Sequence, residues 1–157
     1  MTMKARPMET ILWGGVAVAL LDIANAMTFW ALYKGATPQV ILQSIAAGLL
    51  GPDAFSGGAP TAWLGAFLHL FISCGIAAVY YLAVMLWPMP LSRPFFYGVI
   101  YGVIVYLVMN YVVVPLSLAS PVPFIPSWFL DSLIGHIVLV GLPLAYIARW
   151  SALRNRR

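Results

Sequence analysis

Charge is what this sequence has least of: 8% of its 157 residues are Asp, Glu, Lys or Arg, against roughly 25% in an average soluble domain. With so little charge and 63% hydrophobic residues, a water-soluble fold is excluded. Cysteine is nearly absent as well. The single Cys74 rules out an intramolecular disulfide and any cysteine-based metal motif. Catalytic signatures are also missing. There is no GxSxG elbow, Walker loop, GxGxxG or HExxH, and Ser117, Ser120 and Ser127 lie in a proline-rich stretch without a partner base. An enzyme is therefore not expected.

What the chain has is apolar sequence in long runs. The stretch from Ser127 to Arg149 reaches roughly 33 Å at ~1.5 Å per residue, enough for a hydrocarbon core of ~30 Å. Similar runs predict spans at about 10–33, 61–87, 95–114 and 127–149. The fold class is all-α: a four-helix transmembrane bundle forming a single integral membrane domain over residues 1–157. A competing reading of the first run is a secretory signal, with Lys4 and Arg6 before an apolar stretch and Ala24-Asn25-Ala26 as the cleavage site. Apolar sequence continues through Phe29 and Trp30, so a full span is the reading taken.

Between the first two runs, Thr37 is placed to cap a helix with Pro38 at its first position, and Gly51-Pro52 ends it. Ile41, Leu42, Ile45, Leu49 and Leu50 recur at helical spacing. A helix over 38–50 is too short to span, which predicts a short amphipathic interfacial helix. Asp53 to Pro60 reads as a plain return loop and Pro88 to Pro94 as a tight turn. Pro115 to Pro126, with four prolines, reads as an extended connection, and Pro143 predicts a kink in the last span.

The few charges set orientation. Lys4, Arg6, Arg93, Arg149, Arg154, Arg156 and Arg157 fall in the N-terminus, the second connection and the C-terminus, whereas only Lys34 falls in the first connection. By the positive-inside rule both termini are cytoplasmic. The terminal arginines are expected to face anionic headgroups rather than nucleic acid. The six tryptophans sort the same way: Trp30, Trp63 and Trp128 at outer ends, Trp13, Trp87 and Trp150 at inner ends, as an aromatic belt requires.

Against these belts the intramembrane polar residues fall into one layer. Asp22 and Asn25 lie roughly 12 and 8 Å inward of Trp30, His69 about 9 Å inward of Trp63, and His136 about 12 Å inward of Trp128. Asn110 lies near the outer end of the third span. Each sits on a helical stripe with small residues: Gly15, Val18 and Asp22; Gly65, His69 and Ser73; Gly98, Gly102 and Asn110; Ser132, Gly135 and His136. Asp22, Asn25, His69, Asn110 and His136 are the candidate ligand-binding residues of a buried polar site.

Three readings of this layer are open. It is a site that binds or senses a small ligand or a proton, a network that only locks packing in a structural or accessory subunit of a membrane complex, or a haem or metal site. For the last, His69 and His136 lie on helices that run parallel, and match in depth, as bis-histidine ligation of haem b requires. With Asp22 they form a possible set for a divalent metal, though without close spacing. A conduction path through one bundle of this size would need a homo-oligomer.

From Asn110 onward, NYVVVPLSLASPVPFIPSWFLDSLIGHIVLVGLPLAYIARW combines an embedded polar residue, a proline-rich outer turn and a Gly-His pair. It resembles the YagU-like family of small bacterial inner-membrane proteins of unknown function. The second span, from His69 to Tyr81, resembles that family too, whereas the first outer loop is shorter here. The resemblance implies a bacterial inner-membrane location and four spans, with His69, Asn110, Gly135 and His136 as motif positions.

Overall fold

In an apolar medium every backbone amide must be satisfied within the chain, and long apolar runs do this as helices. The computed structural model describes residues 4–120 and 123–154, and no strand occurs among them. Four helices are long and apolar enough to cross a membrane: α1 (Glu9–Lys34), α3 (Gly58–Leu86), α5 (Pro94–Leu116) and α6 (Pro126–Arg154). Two short ones sit between them, α2 (Pro38–Leu50) and α4 (Met89–Ser92). These are the dimensions and composition of a multi-pass membrane protein. The outward surfaces agree, with Leu32, Leu86 and Leu116 more than four-fifths exposed.

Helix ends follow local chemistry. α1 stops at Gly35, whose N–H donates to the Ala31 carbonyl and whose φ of 66° turns the Ala36 N–H back to the Trp30 carbonyl. The helix runs unbroken through Ala24-Asn25-Ala26, so those residues form an ordinary helical turn. α2 begins as the sequence predicts, with the Thr37 hydroxyl accepting from the Val40 N–H at 3.4 Å.

Three details differ from the sequence expectation, and Pro143 adds a fourth feature. Residues 53–60 are not a plain loop: a 3₁₀ helix (Gly51–Ser56) follows α2 directly, pinned where the Thr61 hydroxyl donates to the Ala54 carbonyl at 2.6 Å. The turn after α3 contains a helical turn of its own, because Leu91 is fully buried. Pro115 lies within the last turn of α5, not beyond it. At Pro143 the helix passes through a wide π-turn over His136–Gly141 just before the proline, which takes up the lost Leu139 bond by re-registering the ladder. A second π-turn covers Met109–Val113, and a third opens α1 at Glu9–Trp13.

Packing is set by small residues. α6 lies against both α1 and α5, α1 against α3, and α2 along α3. At the α5/α6 crossing the backbones touch: a Cβ on Gly102 would stand 2.6 Å from the His136 carbonyl oxygen, and one on Gly141 would overlap the Gly98 carbonyl. At the α2/α3 crossing a Cβ on Gly65 would overlap the Leu42 carbonyl. That approach turns Ile41, Gln43, Ala46 and Ala47 inward and leaves Leu49 and Leu50 exposed, so small residues join Ile41 on the buried face of α2 and the stripe's last two leucines are left out. Between α3 and α5 the link is made by side chains. The Tyr101 hydroxyl donates to the Ile76 carbonyl at 2.6 Å, and the Tyr101 ring meets Tyr80 with centroids 4.8 Å apart.

The main core, including Val18, Ala77, Val84, Leu144, Ala145 and Ala148, lies towards the end that carries both termini. A small second core, Ala46, Ala47 and Ala54 with Leu64 against it, lies at the distal end.

Candidate functional site

The five polar residues do not form one buried layer. Asp22, Asn25, His69, Asn110 and His136 are all only partly buried, and they divide among three helix seams. Each polar contact is made within its own seam, where small residues bring two helices together.

The α1/α3 seam holds Asp22 and His69. Gly15 admits Cys74 of α3 so closely that a Cβ there would stand 2.7 Å from the Cys74 sulfur. One turn further along, His69 Nε2 lies 3.0 Å from the Ala19 carbonyl oxygen. A carbonyl only accepts, so Nε2 carries the proton and Nδ1 is left as the basic nitrogen. The Asp22 carboxylate stands 3.9 Å from the same Nε2, with the Asp22 side chain 27% exposed and that of His69 16%. Asp22 lies at the middle of α1, and His69 is close to the middle of α3.

The α1/α6 seam holds Asn25. Its amide donates to Asp131 at 2.8 Å, and it lies over Gly135, where a Cβ would come within 3.0 Å of the amide nitrogen. α6 begins at Pro126 with no side-chain cap, and Asp131 lies inside it, where it receives Asn25. An open cleft of about 370 Å³ lies beside the pair, lined also by Thr28, Phe29, Tyr33 and Ser127. Depth measured from Trp30 and Trp128, whose rings meet at 5.2 Å, was the signal that could have paired the two residues.

The α5/α6 seam holds the other two. His136 Nδ1 lies 2.7 Å from the Ser132 carbonyl oxygen of its own helix, so Nδ1 is the protonated nitrogen, and its ring packs edge-on against Tyr106. Asn110 also bonds within its own helix, donating to the Tyr106 carbonyl at 3.0 Å. The two histidines therefore engage different neighbours, α1 for His69 and α5 for His136. They are not presented to a common slot as haem ligation would need. Nor does a ligand set of His69, His136 and Asp22 assemble: among the described residues no three His, Cys, Asp or Glu side chains group closely enough to hold a metal ion.

Two buried polar residues at the terminal end escaped the sequence reading. Thr10 and Ser151 are fully buried, with their hydroxyls 3.1 Å apart, and Ser151 also accepts from the Arg6 N–H. Beside them Glu9 pairs with Arg6 at 2.9 Å and Arg154 at 3.7 Å. Comparison of the chain with protein-family models, curated proteins and solved structures gives no match.

Proposed function

We propose that this is a small multi-pass protein of the bacterial inner membrane, both termini cytoplasmic, in which Asp22 and His69 form an intramembrane site that takes up a proton or a small ligand. The observation that carries the reading is the 3.9 Å approach of the Asp22 carboxylate to His69 in the middle of two apolar helices. An aspartate at the centre of a membrane helix costs about 2.5–3.5 kcal/mol on an insertion scale, and such residues mark functional pathways by default. Neutral His69 spends its Nε2 proton on the Ala19 carbonyl. A second proton enters at Nδ1, and the resulting imidazolium faces the carboxylate. Histidine is the side chain suited to change charge in the physiological range.

In the same reading α2 lies at the outer interface, lipid is the main partner, and the likeness to YagU-like proteins gives the location. A second reading, a structural or accessory subunit, is favoured for the other polar residues. Asn25 bridges two helices through Asp131, and Asn110 and His136 bond to their own backbone.

The test is tryptophan emission of the reconstituted protein between pH 5 and 8, a range chosen for histidine. The change with pH is expected to disappear in both His69→Gln and Asp22→Asn and to persist in His136→Gln. A response that survives both of the first two substitutions sinks the proposal. Loss of folding in both makes the pair a packing contact.

A further inference from the structure

The terminal end holds an imbalance of charge that the Asp22–His69 pair does not touch. The chain has four side-chain carboxylates. Asp22 lies in mid-helix, while Asp53 and Asp131 lie towards the distal end. That leaves Glu9 as the one at the terminal end, where it is shared by Arg6 and Arg154. Arg154 is held further by the Trp150 ring, 4.7 Å away. Arg93 and Arg149 have no carboxylate among the described residues.

These two arginines line one open cleft of about 550 Å³ with Pro94, Phe95, Phe96 and Tyr146. Arg149 is anchored there. Its Nη1 donates to the carbonyls of Leu91 and Ser92 at 3.3 and 3.1 Å, which fixes the guanidinium while leaving its other nitrogens for an outside acceptor. The Arg93 side chain is exposed and makes no hydrogen bond or ion pair among the described residues, while its backbone carbonyl accepts from the Tyr97 N–H. It also opens α5 without a side-chain cap, so the first unpaired amides of that helix belong to Phe95 and Phe96, which line the same cleft. The aromatic wall is half or more exposed: Phe95 63%, Phe96 58% and Tyr146 50%.

We propose that the Arg93–Arg149 cleft binds the phosphate of an anionic lipid, with the guanidiniums on the phosphate oxygens and Phe95, Phe96 and Tyr146 against the glycerol and upper acyl chain. Two guanidiniums without a carboxylate partner among the described residues match phosphate geometry, since the planar fork binds two oxygens at once. The rings beside them favour a phosphate attached to an apolar body over a free one. The cleft lies at the end where the positive charge gathers, which is where anionic headgroups are attracted. The proposal rests on the membrane embedding of the previous section but not on its proton site, and the two tests use different residues.

The experiment titrates the full-length protein in uncharged detergent with dioctanoyl phosphatidylglycerol, dioctanoyl phosphatidylcholine and inorganic phosphate, reading bound lipid by native mass spectrometry and affinity by the shift in melting temperature. Phosphatidylglycerol is expected to bind in preference to the other two. Its affinity should fall about 10-fold or more in Arg93→Gln, the scale of one charge-assisted contact, and less in Arg93→Lys. Arg154→Gln, which alters a cation already paired with Glu9, should leave it unchanged. The Arg93 side chain makes no bond among the described residues, and its backbone bond to Tyr97 does not depend on the side chain, so its variant is expected to fold as the parent does. Equal binding of phosphatidylcholine, stabilisation by inorganic phosphate alone, or an unchanged affinity in Arg93→Gln overturns the proposal.

Discussion

The terminal end of the bundle and the seams of α1 with α3 and α6 treat polar residues in opposite ways. At the terminal end, Thr10 and Ser151 are fully buried and bonded to each other, Ser151 also accepts from the Arg6 amide, and Leu144, Ala148 and Ala152 at the same end have no exposed surface. Towards the middle and the distal end, Asp22, His69, Asn25 and Asp131 are only partly covered, and Asp22 meets its partner at a distance longer than a hydrogen bond. Buried, closely bonded polar groups fasten helices. Half-open ones with unused capacity can respond to something from outside.

The contrast breaks most visibly where α5 and α6 cross. Gly141→Val forces a side chain into the Gly98 carbonyl and the Gly102 backbone, a clash that cannot be relieved by rotating a side chain. A loss of about 3 kcal/mol or more is expected, read as a collapse of the thermal transition in detergent. Gly75 has nothing within 4 Å of its would-be Cβ, so Gly75→Ala should be neutral or stabilising by up to about 1 kcal/mol. Equal damage from both would show that close approach is not what sets the cost at these glycines, since helix propensity alone favours Ala over Gly. A smaller effect belongs to the fastening itself. Ser151→Ala strips the Arg6 amide and the Thr10 hydroxyl of a buried partner and should cost about 1–3 kcal/mol. Adding Thr10→Val should cost less than it does alone, because one orphaned hydroxyl is removed with its partner. Full additivity would show that the two hydroxyls are not coupled.

Composition and the length of the apolar runs made the four long helices legible, since both are fixed by the medium rather than by tertiary detail. The helix over 38–50 was legible because Thr37, Pro38 and Gly51 each have a local role that sequence order exposes. Its buried face was not, because the choice between the leucine stripe and the alanine stripe was made by Gly65 on another helix. The same limit applied to the polar layer. Depth along each helix could be counted from the tryptophans, but rotation about the axis depends on which glycine meets which backbone. Gly102 turns α6 so that His136 faces Tyr106, and Gly15 brings α3 to α1 so that His69 reaches Ala19. Two histidines at one depth thus ended in separate seams. Thr10 and Ser151 went unnoticed because a small hydroxyl in an apolar run has no sequence signature apart from its partner.

The smallest expected effect bears most directly on whether the distal polar contacts are fastenings. Asn25 and Asp131 make a 2.8 Å hydrogen bond across α1 and α6, shorter than the 3.1 Å Thr10–Ser151 contact at the terminal end, yet the pair borders an open cleft and is only partly buried. When either partner is removed, lipid headgroups or water entering that cleft can replace it, so the single substitutions Asn25→Ala and Asp131→Ala should each be mild. Their coupling in a double-mutant cycle should fall near the ~0.6 kcal/mol average for polar contacts between membrane helices. A coupling above about 1.7 kcal/mol, the top of that range, would make the pair a lock of the terminal kind. The distal half would then be fastened at α1/α6 and open only at α1/α3, leaving Asp22 and His69 as the one polar contact free to respond.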